Sequence, residues 1–305
     1  VLGCKVAQVE AAGGARLLES TGLSRAGPGG TADVVVLHAC TVTARADRDA
    51  LRLLRRLRAE NPRALLAVTG CLAERDAEGL ARRPEVDVVA GHRSSGALLR
   101  LLEDAAAGLL PGKGAALSLT PSEALASPLA ASTSLGRTRA FLKVQDGCGR
   151  RCAFCIVPAL RGPERSAPSD EVEEAIRALG EAAVPEVVLS GVHLAAFGSE
   201  RGESLVSLLA ALEARPPSCR VRLSSLEPME AGEALLDLLA GSRVVAPHLH
   251  LPLQSGSDAV LRRMRRGMTA ARFRALLLRV VRVNPRVHLA TDVIAGFPGE
   301  TEAEF

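Results

Sequence analysis

A chain of 305 residues is long enough for about two domains and a sizeable core, and its 48% hydrophobic and 24% charged residues are those of a globular protein. No apolar run reaches the roughly 20 residues of a membrane-spanning helix, and seven cysteines without a secretory leader argue against a disulfide scaffold and for metal or redox chemistry in the cytoplasm. A net charge of +4 suits an anionic partner, while six Phe with no Tyr or Trp leave charge and shape, more than base stacking, to hold any nucleic acid.

The predicted elements alternate. "ADVVVLHAC" and "ALLAVTGC" read as strands from their β-branched runs and polar stops. Between them "RADRDALRLLRRLRAENP" puts Leu51, Leu54 and Leu57 on one helical face and stops at Asn61-Pro62. "GHRSSGALLRLLEDAAAG" is a further helix, so residues 1–108 predict an α/β domain with a doubly wound parallel sheet. Residues 109–138, rich in Pro, Gly, Ser and Ala, read as a linker or a long surface connection.

From 139 to 305 the alternation resumes. Candidate strands are "AFLKVQDG", "EVVLSGV", "VRLSSLE", "HLHLPLQ" and "HLATDVIAG". "SDEVEEAIRALGEAA", with Ser169 as N-cap and acids in its first turn, and "SLVSLLAALEAR" are helices between them. Five such repeats predict a complete or partial parallel (β/α) barrel, with function at the carboxyl ends of its strands. The first residue is Val and the last words are "GETEAEF", so the chain reads as part of a longer one.

Three of the seven cysteines fall within "DGCGRRCAFCIVPALRG", at Cys148, Cys152 and Cys155. Structural zinc sites and ferredoxin-type clusters take four ligands. Three thiolates on a four-iron cluster leave one iron open to a small molecule, as a catalytic metal requires. The alternative is a set of buried small residues or half a zinc site, but the flanking Gly and Arg suit a loop better than a core. This segment, with Phe154 before the last cysteine, resembles the cluster loop of the radical S-adenosylmethionine superfamily. The resemblance implies that S-adenosylmethionine fills the open position and is cleaved reductively to a 5′-deoxyadenosyl radical.

Cys4, Cys40 and Cys71 each end an apolar run in the first domain. Each alone reads as a core cysteine. In an open parallel sheet those ends share one edge, so together they favour a second cluster that is again one ligand short. Cys219, in "RPPSCRVRL", reads as structural.

The surrounding words sharpen the resemblance. "LGCKVAQVE", "HACTVTARADRDALRLLRRL", "VTGCLAE" and "VDVVAGH" are similar to the amino-terminal domain of the methylthiotransferases. "FLKVQDGCGRRCAFCIVPALRG", "VVLSGVHLAAFG", "RLSSLEP", "HLHLPLQSGSDAVLRRMRRGMT" and "TDVIAGFPGETEAEF" are similar to their radical domain. "GCK" and "SGVHL" resemble the threonylcarbamoyladenosine tRNA branch. Ala7, His38-Ala39 and Met268 stand where that branch usually carries Asn, Asn-Thr and Tyr. The family's last barrel strand and its RNA-binding TRAM domain are not in this sequence.

The resemblance implies a cytoplasmic transferase with two 4Fe-4S clusters and S-adenosylmethionine, which adds a methylthio group to carbon 2 of N6-threonylcarbamoyladenosine in the tRNA anticodon loop. An electron donor and a sulfur source are implied as further partners, with no membrane. By resemblance and position, Ser190 and Gly191 lie near the cofactor's amino group, and Glu227 and Gln254 face its ribose or methionine atoms. Asp292 closes the ring, and Arg266 points to its carboxylate or lies on a solvated face. Strand-end capping or turn roles are the alternative for these residues. Alternative activities are methylthiolation of isopentenyladenosine tRNA or of a ribosomal-protein aspartate. A different class is a non-catalytic iron–sulfur or zinc protein that binds nucleic acid.

His193, beside an apolar stretch, reads as structural. "GFPGET" lacks the Lys-Ser/Thr ending of a phosphate loop and reads as a tight turn before a helix. Nine arginines and no acid between Arg262 and Arg286 form a solvated basic face or a surface that tracks phosphates. Arg150, Arg151, Arg161 and Arg165 extend a positive field around the cluster mouth.

Overall fold

The computed structural model describes residues 1–20, 22–27, 30–91, 98, 100–101, 117–119, 130–132 and 138–305. Most of the helix expected over residues 91–108 lies outside them. The chain divides into two compact units, Val1–Ser132 with Ala159–Arg161, and Thr133–Pro158 with Gly162–Phe305.

In the first unit, helix α1 (Lys5–Ser20) follows Leu2, which bridges in parallel to Ala39. Strands β1 (Val34–His38), β2 (Leu65–Thr69), β3 (Val88–Ala90) and β4 (Leu117–Leu119) lie side by side in that order, all parallel. Leu117–Leu119 thus adds a strand to the sheet from within the stretch read as linker. Strand β5 (Ala130–Ser132) belongs to this unit, where the Arg16 guanidinium donates to the Ala131 carbonyl oxygen.

Both faces of the sheet are apolar, and both are covered. Leu37, Leu66, Val68 and Val89 pack on one side against Leu54 of α2 (Ala44–Glu60), Leu72 of α3 (Cys71–Arg75) and Leu80 of α4 (Ala77–Ala81). Leu65, Ala67, Val88 and Ala90 pack on the other against Leu98, with Leu18 and Leu101 beside them. This is the layering expected of a doubly wound sheet. Thr43 caps α2 by accepting from the Ala46 N–H, and Asn61 ends it, as the sequence predicts.

The second unit carries five parallel strands in chain order. β6 (Arg139–Lys143), β9 (Glu186–Ser190) and β10 (Arg220–Leu223) form one ladder, and β11 (His248–His250) and β12 (His288–Ala290) form another. Single parallel bridges, Val221 to Val245 and Ser225 to His250, join the two. A short antiparallel pair, β7 (Gln145–Asp146) with β8 (Arg165–Ser166), stands at the end of β6. Helices α5 (Ser169–Glu181), α6 (Leu205–Ala214), α7 (Glu233–Gly241), α8 (Asp258–Arg263) and α9 (Ala270–Val283) follow the strands. The repeat is that of a partial (β/α) barrel.

Two local expectations differ. Ser169 is the first helical residue of α5, not its cap: Pro168 holds the cap position, and the Ser169 hydroxyl donates to Glu203 at 2.9 Å. A carboxylate is the stronger acceptor, and it draws the hydroxyl away from the helix end. Strands β11 and β12 are shorter than their apolar words. Pro252 supplies no N–H to a ladder, and Gln254, at φ +81, turns the chain left-handed and leaves only its bridge to Val293.

Candidate functional site

In the first unit, the carboxyl ends of neighbouring strands gather Cys4, Cys40 and Cys71. Cys40 follows β1, Cys71 opens α3 after β2, and Cys4 lies beyond Leu2, whose carbonyl accepts from the Cys40 N–H at 2.9 Å. Gly70 makes this turn possible: its φ is +93, and a Cβ there would meet the Ala39 carbonyl oxygen at 2.7 Å. Cys40 and Cys71 are buried and Cys4 is exposed.

The Cys4 and Cys40 thiols share a hydrogen bond. That bond holds Cys40 down to about 6 against the opposing effect of burial, and it raises Cys4. Burial raises Cys71, while the Arg161 guanidinium opposes it. Arg161 clusters with this unit, where it is buried and grips Glu10 with two bonds of 2.8 and 2.9 Å. It is therefore a buried, paired residue and not part of a solvated positive field.

In the second unit, the loop after β7 carries Cys148, Cys152, Phe154 and Cys155. It begins at Gly147, at φ +77, where a Cβ would fall on the Pro163 carbonyl oxygen, so only glycine fits. Backbone bonds pin the loop: Cys148 N–H to Gly162 O at 2.9 Å, Ala153 N–H to Met264 O at 3.0 Å and Cys155 N–H to Cys152 O at 3.1 Å. Cys155 is exposed, Cys148 and Cys152 are half-buried, and Phe154 is 37% exposed. Cys219 stands apart, buried, with its thiol donating to Ile176 O at 3.6 Å, which fits the structural role read for it.

Arg266 turns inward from the basic run. It pairs with Glu227 at 2.7 Å, with side-chain exposures of only 6% and 9%. It also donates to Pro252 O at 2.9 Å and reaches Cys152 Sγ at 3.7 Å. Gln254 and Asp292 meet through a backbone bond, Gln254 N–H to Asp292 O at 2.9 Å. The Asp292 carboxylate is exposed and lies 3.3 Å from His250, whose other ring nitrogen bonds the Ser225 hydroxyl at 2.7 Å. Ser190, at the end of β9, is buried with no hydrogen-bond partner for its hydroxyl in the described structure. The same holds for the Ser224 hydroxyl and for Arg266 Nε.

Three residues that the sequence did not single out, Gln145, Glu164 and Glu230, meet at His193 beside the cluster loop. Gln145 is 0% exposed and ties the cluster loop to the turn after β9. Its amide donates to the Asp146 and Gly147 carbonyls, both at 2.9 Å, and accepts from the His193 N–H at 2.7 Å. Next to it, Gly191 passes so close that a Cβ would meet Gln145 Oε1 at 2.9 Å. His193, read as structural, stands between two carboxylates: Nδ1 lies 3.3 Å from Glu164 Oε1, and Nε2 lies 2.7 Å from Glu230 Oε2. Arg150 in turn pairs with Glu230.

Burial disfavours charge on His193. The Cys148 thiol and Glu230 outweigh it and push the imidazole up to about 10. Burial likewise opposes ionisation of Glu164 and Glu230, yet both are held below the usual carboxylate range. The Gly149 N–H and His193 do this for Glu164, and His193 and Arg150 for Glu230. Glu164 and Glu230 carry no sequence signal of their own, since their meaning lies in contacts 29 and 37 residues away.

Arg150 is thus engaged, and Arg165 lies 3.6 Å from Asp146. The positive field expected at the cluster mouth is largely paired. In the basic run, Arg263 and Arg279 pair with Glu304 and Glu233. Arg262, Arg265, Arg272, Arg274, Arg282 and Arg286 are exposed.

The chain matches the Radical SAM superfamily over residues 142–305 and the uncharacterized protein family UPF0004 over residues 1–91. It is 35% identical over 306 residues to the threonylcarbamoyladenosine tRNA methylthiotransferase MtaB of Bacillus subtilis, covering 100% of this chain and 67% of that protein. It is 37% identical over 309 residues to the tRNA-2-methylthio-N(6)-dimethylallyladenosine synthase of Novosphingobium aromaticivorans, covering 99% and 69%. The chain therefore spans about two thirds of the length of these relatives. Among solved structures, the radical S-adenosylmethionine methyltransferase TsrM from Kitasatospora setae matches with a TM-score of 0.60 at 14% identity, over 95% of this chain and 61% of that one. The cobalamin-dependent S-adenosylmethionine radical enzyme OxsB matches at 0.54 and 14%, over 96% and 43%, a likeness of fold. A glycine-started loop of three cysteines at the strand ends of a partial barrel, preceded by a parallel-sheet unit with three more, is joined by identity along almost the entire chain: the chain belongs to the radical S-adenosylmethionine methylthiotransferases, a family of transferases.

Proposed function

We propose that the protein adds a methylthio group to carbon 2 of N6-threonylcarbamoyladenosine next to the anticodon of tRNA, in the cytoplasm. The observation that carries the methylthiotransferase chemistry is the pair of three-cysteine sets, one in each unit, and the relatives named for threonylcarbamoyladenosine, at 35% and 33% identity, support that substrate. Cys148, Cys152 and Cys155 would hold one 4Fe-4S cluster, and Cys4, Cys40 and Cys71 a second, each leaving one iron open.

The residues present fit these groups. Thiolates are the donors that iron–sulfur clusters take, and the thiols of each set influence one another electrostatically. The unpartnered buried hydroxyls of Ser190 and Ser224 and the free Nε of Arg266 are polar atoms that a bound ligand would satisfy. When bound, S-adenosylmethionine supplies a methyl group and, with an electron from the cluster, one-electron cleavage chemistry. The chain's own part is to hold and orient. Phe154 would contact the cofactor, Ser190 and Gly191 would meet its amino group, Glu227 and Gln254 would face its ribose or methionine atoms, and Asp292 would close the ring. Arg266, already neutralised by Glu227, would position the Cys152 side of the loop.

The exposed arginines of α8 and α9 suit a phosphate backbone, and a base leaves its stack at a cost of a few kcal/mol in general and less in an open anticodon loop. No helix among the described residues is long and apolar enough to cross a membrane. An electron donor and a sulfur source complete the proposed reaction.

A second reading, methylthiolation of dimethylallyladenosine, is favoured by relatives of that name at 36–39% identity, slightly above the 35% and 33% of those named for threonylcarbamoyladenosine. Mass analysis of tRNA nucleosides from a strain lacking the gene, with and without its return, decides between them. Loss and recovery of the methylthio form of threonylcarbamoyladenosine alone is the expected result. Recovery of the dimethylallyl form selects the second reading, and no change in either removes both.

A further inference from the structure

Cys148 Sγ, a carboxylate oxygen of Glu164 and a ring nitrogen of His193 all lie within 4.8 Å of one another. We propose that this trio is a single-ion site for a divalent d-block metal, zinc foremost, in the chain before any cluster is built.

The donor set is the first argument. A thiolate, an imidazole and a carboxylate together suit zinc, and three protein ligands with a water is a familiar way to hold it. Bonds of about 2.0–2.3 Å in a tetrahedron set ligand atoms roughly 3.5 Å apart. His193 Nδ1 and Glu164 Oε1 already stand at 3.3 Å, and Cys148 Sγ lies within 4.8 Å of both residues' ligand atoms.

The surroundings of the histidine are the second. A metal-bound imidazole ordinarily donates its other ring N–H to a carboxylate, which fixes its orientation. Here Nε2 faces Glu230 Oε2 at 2.7 Å, and Arg150 donates to the other Glu230 oxygen from Nη2 while its Nε lies 3.4 Å from His193 Nε2. The His193 backbone is fixed as well, by its N–H bond to the buried Gln145 amide. Glu164 is steadied by the Gly149 N–H on the cysteine loop itself. The trio comes from three separate segments that are joined by these bonds without any metal.

On binding, the Cys148 thiol and the His193 Nδ1–H each give a proton to solvent, and the freed sulfur and ring nitrogen go to the ion. Cys148 then cannot serve a four-iron cluster, so the two occupancies exclude each other. The inference does not rest on the cluster assignment, because Glu164 and His193 are not cluster cysteines.

The test uses the full chain, stripped of metal without air. Zinc affinity is measured by competition with a chromophoric chelator, and cobalt(II) is used to report sulfur ligation. In a background with Cys152 and Cys155, and also Cys4, Cys40 and Cys71, replaced by Ala, so that the first unit's thiols take no metal, one ion should still bind with a cobalt–thiolate band. That equivalent should vanish in Cys148→Ala, and it should weaken by more than about 10-fold in Glu164→Gln and His193→Gln and by about 10- to 100-fold in Glu230→Gln. The glutamine variants keep much of the size of the originals and remove the charge or the ligating nitrogen, and a melting curve verifies that each is folded. With Cys4, Cys40 and Cys71 replaced by Ala, zinc loaded first should slow iron–sulfide reconstitution, and His193→Gln should remove that delay. The proposal is overturned if the ion stays in folded His193→Gln, or if it already disappears with Cys152 and Cys155. A cluster that forms in His193→Gln with no zinc site in the parent would sink this proposal alone, while a zinc site without cluster formation would sink only the cluster reading.

Discussion

Arg266 and Glu227 form a buried ion pair whose value lies in what its loss would leave behind. With side-chain exposures of 6% and 9%, neither charge can turn to water when the other is removed. Arg266→Met should therefore destabilise the metal-free protein by about 3–5 kcal/mol, the cost of an uncompensated buried carboxylate. Adding Glu227→Gln should recover most of that loss, because the stranded charge is then gone. Urea unfolding of the four proteins of this cycle measures both effects. Near-additive losses would mean that the two residues act separately.

At the scale of elements, one carboxylate at the start of β9 joins three neighbouring strands. Glu186 opens β9 and accepts two bonds from Arg222 of β10, at 2.8 and 3.0 Å, while Arg139 of β6 lies 2.8 Å away. Burial works against its ionisation, but the two guanidinium groups hold the carboxyl below the usual range. A folded value below the unfolded one, about 4.3, stabilises the fold above that unfolded value. The contribution is lost as pH falls through the lower folded value. Glu186→Gln should accordingly be less stable than the parent at pH 7, and the gap should close in acid. Denaturant unfolding at the two extremes tests this, and a gap that stays constant with pH would refute it.

The whole molecule sets two units in sequence, each with its own three cysteines. If each set holds its own cluster, replacing Cys4, Cys40 and Cys71 by Ala should remove about half of the iron and sulfide. Anaerobic reconstitution of that variant should still give 5′-deoxyadenosine from S-adenosylmethionine, yet no methylthio product. The reverse replacement, at Cys148, Cys152 and Cys155, should abolish the 5′-deoxyadenosine. Iron analysis with electron paramagnetic resonance counts the centres. Parent protein with a single centre would leave the second cluster without support.

The sequence by itself determined whatever chain continuity encodes. The close spacing of Cys148, Cys152 and Cys155 keeps three sulfurs together in any loop. The apolar period around Leu54 makes α2 amphipathic, and the Thr43 and Asn61 ends are local hydrogen bonds. Cys4, Cys40 and Cys71 were legible because strand ends in a parallel sheet share an edge. Tertiary structure alone decided which side chains meet across long separations. Arg266 reaches Cys152 from 114 residues away, and Arg150 reaches Glu230 from 80. It also set His193 between Glu164 and Glu230, turned Ser169 from a cap into a partner of Glu203, and buried Gln145 as the tie between loop and strand. No periodicity marks such residues, because their neighbours are fixed by strand pairing and burial and not by position along the chain.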